Sequence, residues 1–366
     1  MAPSSGGART WWRPSLVVAV FYGAVAIALL ATHAWDPRFF ATVGPEWQRH
    51  DPELAKQADG MIFFDYAVDP SAAAARHERK RTIRILYPLT AHVLAAGRAD
   101  LVGWPLLLIN LGAIVLGTEV LHRLLEQHGL PAWAALAYGG WYGAGLALLH
   151  DTSEPFAYLW ALVAIALLTR GRIVLAAVAC LAALLTRETT ILLVLPFLIA
   201  AVYRRGPRQW MAAVGVLAAW SAWYGVVAAV GRGDIAPAAW TPRPPLAGYL
   251  STRPIDLPVT VVCLVMPALV VFGWAVRELA RRRSDPTLWA AALNALFVLW
   301  FPPKTTELLW HSGRLATGFV AATLLAAPLA RSSPALWRLL AIVFAASACW
   351  TAAVALRFLV WDVAPW

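Results

Sequence analysis

Acidic side chains next to apolar segments are the residues of this sequence best suited to chemistry. A polar stretch carries Asp59, Asp65 and Asp69, while Asp151 and Glu154 stand in a very short interruption between two apolar runs. Ionisable groups at such positions in membrane proteins tend to line a cavity or mark a site. Each also has an ordinary interpretation, such as an Asp-Gly turn at Asp59 or a helix cap at Glu154.

Several familiar site motifs do not occur in the sequence. It contains no P-loop, no GxGxxG and no HExxH, so neither nucleotide binding at such a loop nor a zinc site is expected. Cys180, Cys263 and Cys349 all lie inside apolar runs and form no CxxC pair, which argues against a disulfide framework.

The elements that must position these side chains are apolar helices. The chain of 366 residues is 60% hydrophobic and 14% charged, against about 25% charged residues in soluble domains. Its net charge of +10 comes from short basic clusters between apolar runs. That placement is typical of cytoplasmic loops of a membrane protein and not of a nucleic-acid-binding surface. The sequence therefore predicts one all-α polytopic membrane domain over residues 1–366, with no nucleic-acid partner.

The loop charges predict an orientation. A first apolar helix begins near Ser15, residues 1–14 are cytoplasmic, and a long first external loop covers 36–103. The bundle over 104–366 then contains these apolar runs: 104–121, 132–149, 155–169, 173–186, 190–203, 210–231, 257–276, 287–301, 314–330 and 335–360. Basic loops alternate with the turns HDTSEP, TRETT and PPKTTELLWHSG. We expect about eleven transmembrane helices (10–13), with the N-terminus inside.

One apolar stretch within the first external loop, at 83–97, is too short to span a bilayer comfortably. It is either a short spanning helix or a helix lying at the membrane surface. A span here would invert the orientation of every later loop, so the alternation of basic loops favours the interfacial helix. With this topology, sixteen of the twenty acidic residues fall on the external side.

The string ADGMIFFDYAVDP at 58–70, followed by RILYP at 84–88, resembles a known family. It is similar to the first external loop of GT-C fold membrane glycosyltransferases, which use polyprenyl-phosphate-linked sugars, and most of all to bacterial proteins that form cell-surface glycopolymers. Further similarity lies in DTSEP, TRET and SGRLATG. The matching residues of the loop are Asp59, Gly60, Phe63, Asp69, Pro70, Arg84, Ile85, Leu86, Tyr87 and Pro88. The sequence departs from the family at Ala58, Met61 and Asp65.

The resemblance implies a GT-C-like fold and an inverting glycosyltransferase with Asp59 as its catalytic carboxylate. That carboxylate would act as general base on an acceptor hydroxyl, or help to hold a divalent cation such as Mg²⁺ or Mn²⁺. Asp65 is a second candidate beside it. Cationic candidates for the donor phosphate are Arg84, Arg187, Lys304 and Arg314. Candidates for other substrate contacts are Tyr87, Asp69, Glu154, Glu188 and His311.

The resemblance also implies a location and partners. We expect a multi-pass protein of the bacterial plasma (inner) membrane whose active site faces outward, with a polyprenyl-phosphate sugar donor, a glycan or lipid acceptor and membrane lipids as partners. The alternatives are a transporter or lipid flippase, and a non-catalytic accessory subunit of polysaccharide assembly. The apolar middles of the predicted helices argue against a transporter, because transporters often have polar, Gly/Pro-broken helices near mid-membrane.

Overall fold

Helices and their connections make up the part of the chain that the computed structural model describes. The described residues are 13–41, 59–77, 79–205, 207–230, 243–307, 309–330 and 334–361, and no β-strand occurs among them. Apolar side chains without a two-residue alternation favour helices over strands. The expected all-α class is therefore confirmed for these residues.

The helices among the described residues up to residue 126 come first. They are α1 (Pro14–Thr32), α2 (Arg38–Ala41), α3 (Asp59–Val68), α4 (Pro70–Arg76), α5 (Arg79–Thr82), α6 (Leu86–Leu94) and α7 (Gly103–Glu126). The remaining helices are α8 (Leu136–Gly139), α9 (Tyr142–Leu149), α10 (Glu154–Thr169), α11 (Ile173–Thr186), α12 (Ile191–Arg205), α13 (Pro207–Val230), α14 (Leu257–Thr260), α15 (Met266–Leu279), α16 (Pro286–Leu299), α17 (Pro303–Thr306), α18 (Leu309–Leu315), α19 (Thr317–Ala326) and α20 (Pro334–Trp361).

Five helical stretches of the described residues are long and apolar enough to cross a membrane. They are Pro14–Thr32, Gly103–Glu126, Trp210–Ala229, Leu257–Leu279 and His311–Ala330. Shorter apolar helices occur at Glu154–Thr169, Ile173–Thr186, Glu188–Tyr203, Pro286–Leu299 and Leu340–Ala353. The fold is thus that of an all-α membrane protein, while the number of eleven crossings stays a prediction.

The expected run 132–149 is divided into three pieces. A 3₁₀ turn at Ala132–Ala135 leads into α8, and α9 begins after Trp141, whose backbone is extended (ψ 126°). Two consecutive glycines, Gly139 and Gly140, stand at the division. Glycine lowers helix stability, so this is where a continuous helix is most easily interrupted.

Within the first polar segment, α3 packs against the short helix α6. The rings of Phe63 and Tyr87 meet edge-to-face with centroids 5.6 Å apart, and Ala67, Ala91 and Leu106 complete a small buried cluster. The helix expected at 83–97 forms over Leu86–Leu94. It ends in a Schellman motif, in which the N–H of Gly97, with φ +72°, donates to the carbonyl of His92 at 3.0 Å.

Two close approaches at glycine fix the helices that carry polar residues. A Cβ on Gly60 would overlap the carbonyl oxygen of His150 and lie 2.8 Å from that of Ala41. A Cβ on Gly143 would overlap the carbonyl of Gly313, to which Trp141 Nε1 donates a hydrogen bond of 2.8 Å. The start of α3 and the helix α18 are therefore each held against α9 or the turn that follows it.

Candidate functional site

A line of alternating charges runs from the first turn of α3 into the bundle. Arg81 pairs with Asp59 Oδ1, and Arg314 Nη2 lies 3.3 Å from Asp59 Oδ2. Arg314 Nε is in turn 3.9 Å from Glu154 Oε1, and Arg187 Nη1 is 3.0 Å from the same oxygen. Five residues that are widely separated in the sequence are thus linked in one network, which we call the charge chain.

A bidentate ion pair lies close to the charge chain. Arg84 Nε donates to Glu188 Oε2 at 2.9 Å, and Arg84 Nη2 donates to Glu188 Oε1 at 2.5 Å. The fork of a guanidinium matches the two carboxylate oxygens and fixes their relative orientation. This pair ties the segment before α6 to the turn between α11 and α12.

Local backbone structure explains how these side chains are presented. Glu154 is the first residue of α10 and is followed by Pro155, a residue favoured in the first turn of a helix. Arg187 ends α11 because its backbone is extended, with φ −161° and ψ 122°. Asp151, in the turn before α10, has a left-handed φ of +44°, which a non-glycine residue rarely adopts.

The charge chain and the neighbouring pair are buried and carry a surplus of positive charge. Glu154 is 0% exposed, Arg187 4%, Arg314 7% and Asp59 13%. Four arginines, Arg81, Arg84, Arg187 and Arg314, face three carboxylates, Asp59, Glu154 and Glu188. Burying charge costs several kcal/mol for each ion in the absence of compensation. The arrangement is therefore suited to an anion that neutralises the surplus.

The arginines hold Asp59 in its ionised form. Burial alone would raise the pKa of this carboxyl, but Arg81, then Arg314 and Arg84, with a smaller effect of His311, outweigh it and bring the pKa far below its usual range. As it stands in the structure, Asp59 is a weak base, because a strongly stabilised carboxylate holds a proton poorly.

A second buried polar group lies at the turn between α9 and α10. Tyr87 donates a hydrogen bond to the carbonyl of Leu106 at 3.1 Å and accepts one from Asn110 Nδ2 at 2.7 Å. Asp151 is fully buried beside them. Burial raises the pKa of Asp151 well above its usual range, and the Asn110 amide only partly offsets the rise. This carboxyl is thus stabilised in its protonated form.

The structure brings six of the eleven expected site residues into these networks and places a seventh next to them. Asp59, Arg84, Glu154, Arg187, Glu188 and Arg314 all make the ion pairs described above. The seventh is His311, which belongs to α18 and makes a contact of 3.3 Å between its Nδ1 and the backbone carbonyl of Lys304. It precedes Arg314 by three residues on this helix, so the two side chains lie on the same side of α18.

The other four expected residues lie elsewhere. Asp65 pairs with His77 at 2.9 Å, and Asp69 caps α4 by accepting from the backbone N–H groups of Ser71 and Ala72. Lys304 has an exposed side chain on α17, and Tyr87 is buried against α7 with Asn110.

Arg81 is the main residue of the charge chain that the sequence did not single out. It belongs to the basic run from Arg76 to Arg84, in which nothing marks one arginine over another. Its distance of three residues from Arg84 would place both on one side of a helical turn, and that spacing was the only available signal.

The described residues around Asp59 do not fit a divalent cation. Two guanidinium groups contact the carboxylate, and the surplus charge around it is already positive. Over the described ranges, no three His, Cys, Asp or Glu side chains converge as a metal site would require.

Comparisons of the chain with protein-family models, with curated proteins and with solved structures found no match.

Proposed function

We propose that the chain is an inverting membrane glycosyltransferase that moves a sugar from a polyprenyl-phosphate donor to a glycan or lipid acceptor. One observation carries the proposal: Asp59, in the motif that resembles the GT-C family, meets Arg81 and Arg314 in a buried network with surplus positive charge. A carboxylate beside several guanidinium groups supplies a base for a hydroxyl and cations for a phosphate leaving group.

In the proposed reaction, Asp59 takes the proton of an acceptor hydroxyl while the oxygen of that hydroxyl attacks the anomeric carbon of the donor. A new carbon–oxygen bond forms on the face opposite the phosphate, and the bond from the anomeric carbon to the phosphate oxygen breaks. The electron pair of that bond leaves with the lipid phosphate. Guanidinium groups stabilise the charge that develops on it, which is how such preorganised sites lower a barrier.

The predicted topology is consistent with one catalytic face. With about eleven crossings, the first loop and the turns HDTSEP, TRETT and PPKTTELLWHSG are all external. The charge chain and the Arg84–Glu188 pair join residues of these same segments, since Asp59 and Arg84 come from the loop, Glu154 and Glu188 from the next two turns, and Arg314 directly follows the last turn. We propose that this face is the outer side of the bacterial plasma membrane.

The lipid part of the donor requires a path from the bilayer. Helix α6 presents exposed Leu89 and Val93 on the side away from its buried Tyr87. An amphipathic helix of this kind suits the membrane surface, where its apolar face contacts acyl chains. We propose that α6 guides the polyprenyl chain toward Arg84 at its N-terminal end.

The test is sugar transfer by purified protein from a panel of radiolabelled polyprenyl-phosphate sugars, with nucleotide sugars as the comparison donors. We expect transfer from one lipid-linked donor, with inverted configuration at the anomeric carbon, and its loss in Asp59→Asn. Asp65→Asn is the matched control, because Asp65 pairs with His77 outside the charge chain. Transfer that survives in Asp59→Asn contradicts the assignment, and no transfer from any donor favours a transporter or an accessory subunit.

A further inference from the structure

Arg81 is the open end of the charge chain. Its side chain is 20% exposed, whereas those of Arg314 and Arg187 are 7% and 4% exposed. Among the described ion pairs, Arg314 contacts two carboxylates and Arg81 contacts one, Asp59. An incoming anion would therefore meet Arg81 first, and among the described ion pairs Arg81 would give up one carboxylate contact where Arg314 would give up two.

The backbone next to Arg81 is held in place by hydrogen bonds of its neighbours, while 20% of the Arg81 side chain stays exposed. Next to it, Thr82 and Tyr66 share a hydrogen bond of 2.6 Å between their hydroxyl groups. Two residues on, the carbonyl of Ile83 accepts a hydrogen bond of 3.1 Å from Trp223 Nε1 of α13. A change of partner at Arg81 thus requires a rotation of its side chain and no movement of the helix.

The charges favour such a change of partner. The four arginines exceed the three carboxylates by one positive charge, so an added phosphate is attracted to the cluster as a whole. A phosphate offers more acceptor oxygens than a carboxylate and binds a guanidinium in the same bidentate manner. Asp59 and the phosphate would then compete for the same guanidinium.

We propose that Arg81 binds the phosphate group of a lipid phosphate, and that this phosphate displaces Asp59 from Arg81. The lipid part of the proposal rests on the proposed function. The exchange gives donor binding a second consequence: it removes a cation from Asp59, and a carboxylate with fewer cations beside it is a better base. Asp59 thereby becomes competent to take a proton only when a donor is present, which protects the site from unproductive proton transfer.

The experiment measures binding without sugar transfer. Farnesyl phosphate is titrated into the purified protein in detergent micelles, with Trp fluorescence as the signal, for the wild type, Asp59→Asn, Arg81→Gln and the double variant. We expect affinity to rise about tenfold in Asp59→Asn and to fall about tenfold in Arg81→Gln, as for one charged hydrogen bond. In the double variant, the gain from Asp59→Asn should disappear. Arg81→Lys keeps the charge and should fall between the wild type and Arg81→Gln.

The controls separate the possible ligands and the possible failures. Farnesol tests the apolar chain alone, inorganic phosphate tests the free anion, and Arg98→Gln removes an exposed arginine that pairs locally with Asp100. Unchanged or weaker binding in Asp59→Asn overturns the exchange, as does an Arg81→Gln variant that binds like the wild type. Inorganic phosphate binding as tightly as farnesyl phosphate overturns the lipid part. If the proposed function fails, transfer is absent while this binding pattern persists.

Discussion

Ion pairs in two regions of the molecule are built in different ways. At the candidate site, Arg84 and Glu188 are 104 residues apart and Arg314 and Asp59 are 255 apart. By contrast, Arg123 pairs with Glu119 one helical turn away, and Arg281 with Glu278 three residues away, with the arginine side chains 58% and 70% exposed.

The two kinds of ion pair differ in what they contribute to the free energy of folding. An exposed pair within one helix contributes about 0.3–0.5 kcal/mol and forms wherever the helix forms. A buried network requires the desolvation of several charges, and apolar residues of similar volume would often stabilise a protein as well or better. Strongly perturbed charged groups that several segments bring together are therefore candidates for function.

Removal of Glu154 should have the largest effect on stability. Glu154→Ala leaves Arg187 and Arg314 buried with one carboxylate fewer, and breaking such a pair costs about 3–5 kcal/mol. Glu278→Ala, at a pair whose Arg281 side chain is 70% exposed, should change stability by less than about 0.5 kcal/mol. Thermal unfolding of both variants in detergent measures the difference, and equal midpoints would abolish the contrast between the two regions.

A smaller effect is expected where helices touch through glycine. In Gly313→Ala the new Cβ would overlap the ring of Tyr142, so we expect a loss of about 1–3 kcal/mol from overpacking. Gly112→Ala on α7 meets nothing within 4 Å and should gain about 0.5–1 kcal/mol from helix propensity. Opposite shifts in the unfolding midpoint are the expected result. A neutral Gly313→Ala would show that α18 is not fixed by this contact.

The smallest effect concerns the pH dependence of stability. Burial raises the pKa of Asp151, so the folded protein keeps this proton at pH values where the unfolded chain, with a carboxyl pKa of about 3.9, has lost it. Stability therefore falls as pH rises from the ordinary carboxyl range to the raised pKa.

Asp151→Asn tests this dependence, because an amide does not titrate. The variant should unfold at a higher temperature than the wild type at the alkaline end of that interval and show a weaker dependence on pH. An Asp151→Asn profile parallel to that of the wild type would contradict a buried protonated carboxyl.

Much of this structure follows from local sequence signals, and the site only in part. Apolar runs and basic loops predicted the helices, including the short one at 83–97. The turns with Glu154, Glu188 and Arg314 were expected on one face, but topology does not state which side chains meet there. The contact of Arg81 with Asp59 depends on how α3 and α5 fold back on the bundle. Asp65 and Asp69 differ from Asp59 only through nearby partners, His77 and the first turn of α4.

The most direct test of the central claim compares kcat for sugar transfer in Asp59→Asn and Glu278→Gln, since each removes one carboxylate charge. The account predicts a rate at least about 100-fold lower for Asp59→Asn, as for loss of a general base, with the protein folded and donor still bound. Glu278→Gln should stay near the wild-type rate. An Asp59→Asn variant that transfers sugar as fast as Glu278→Gln would contradict the account.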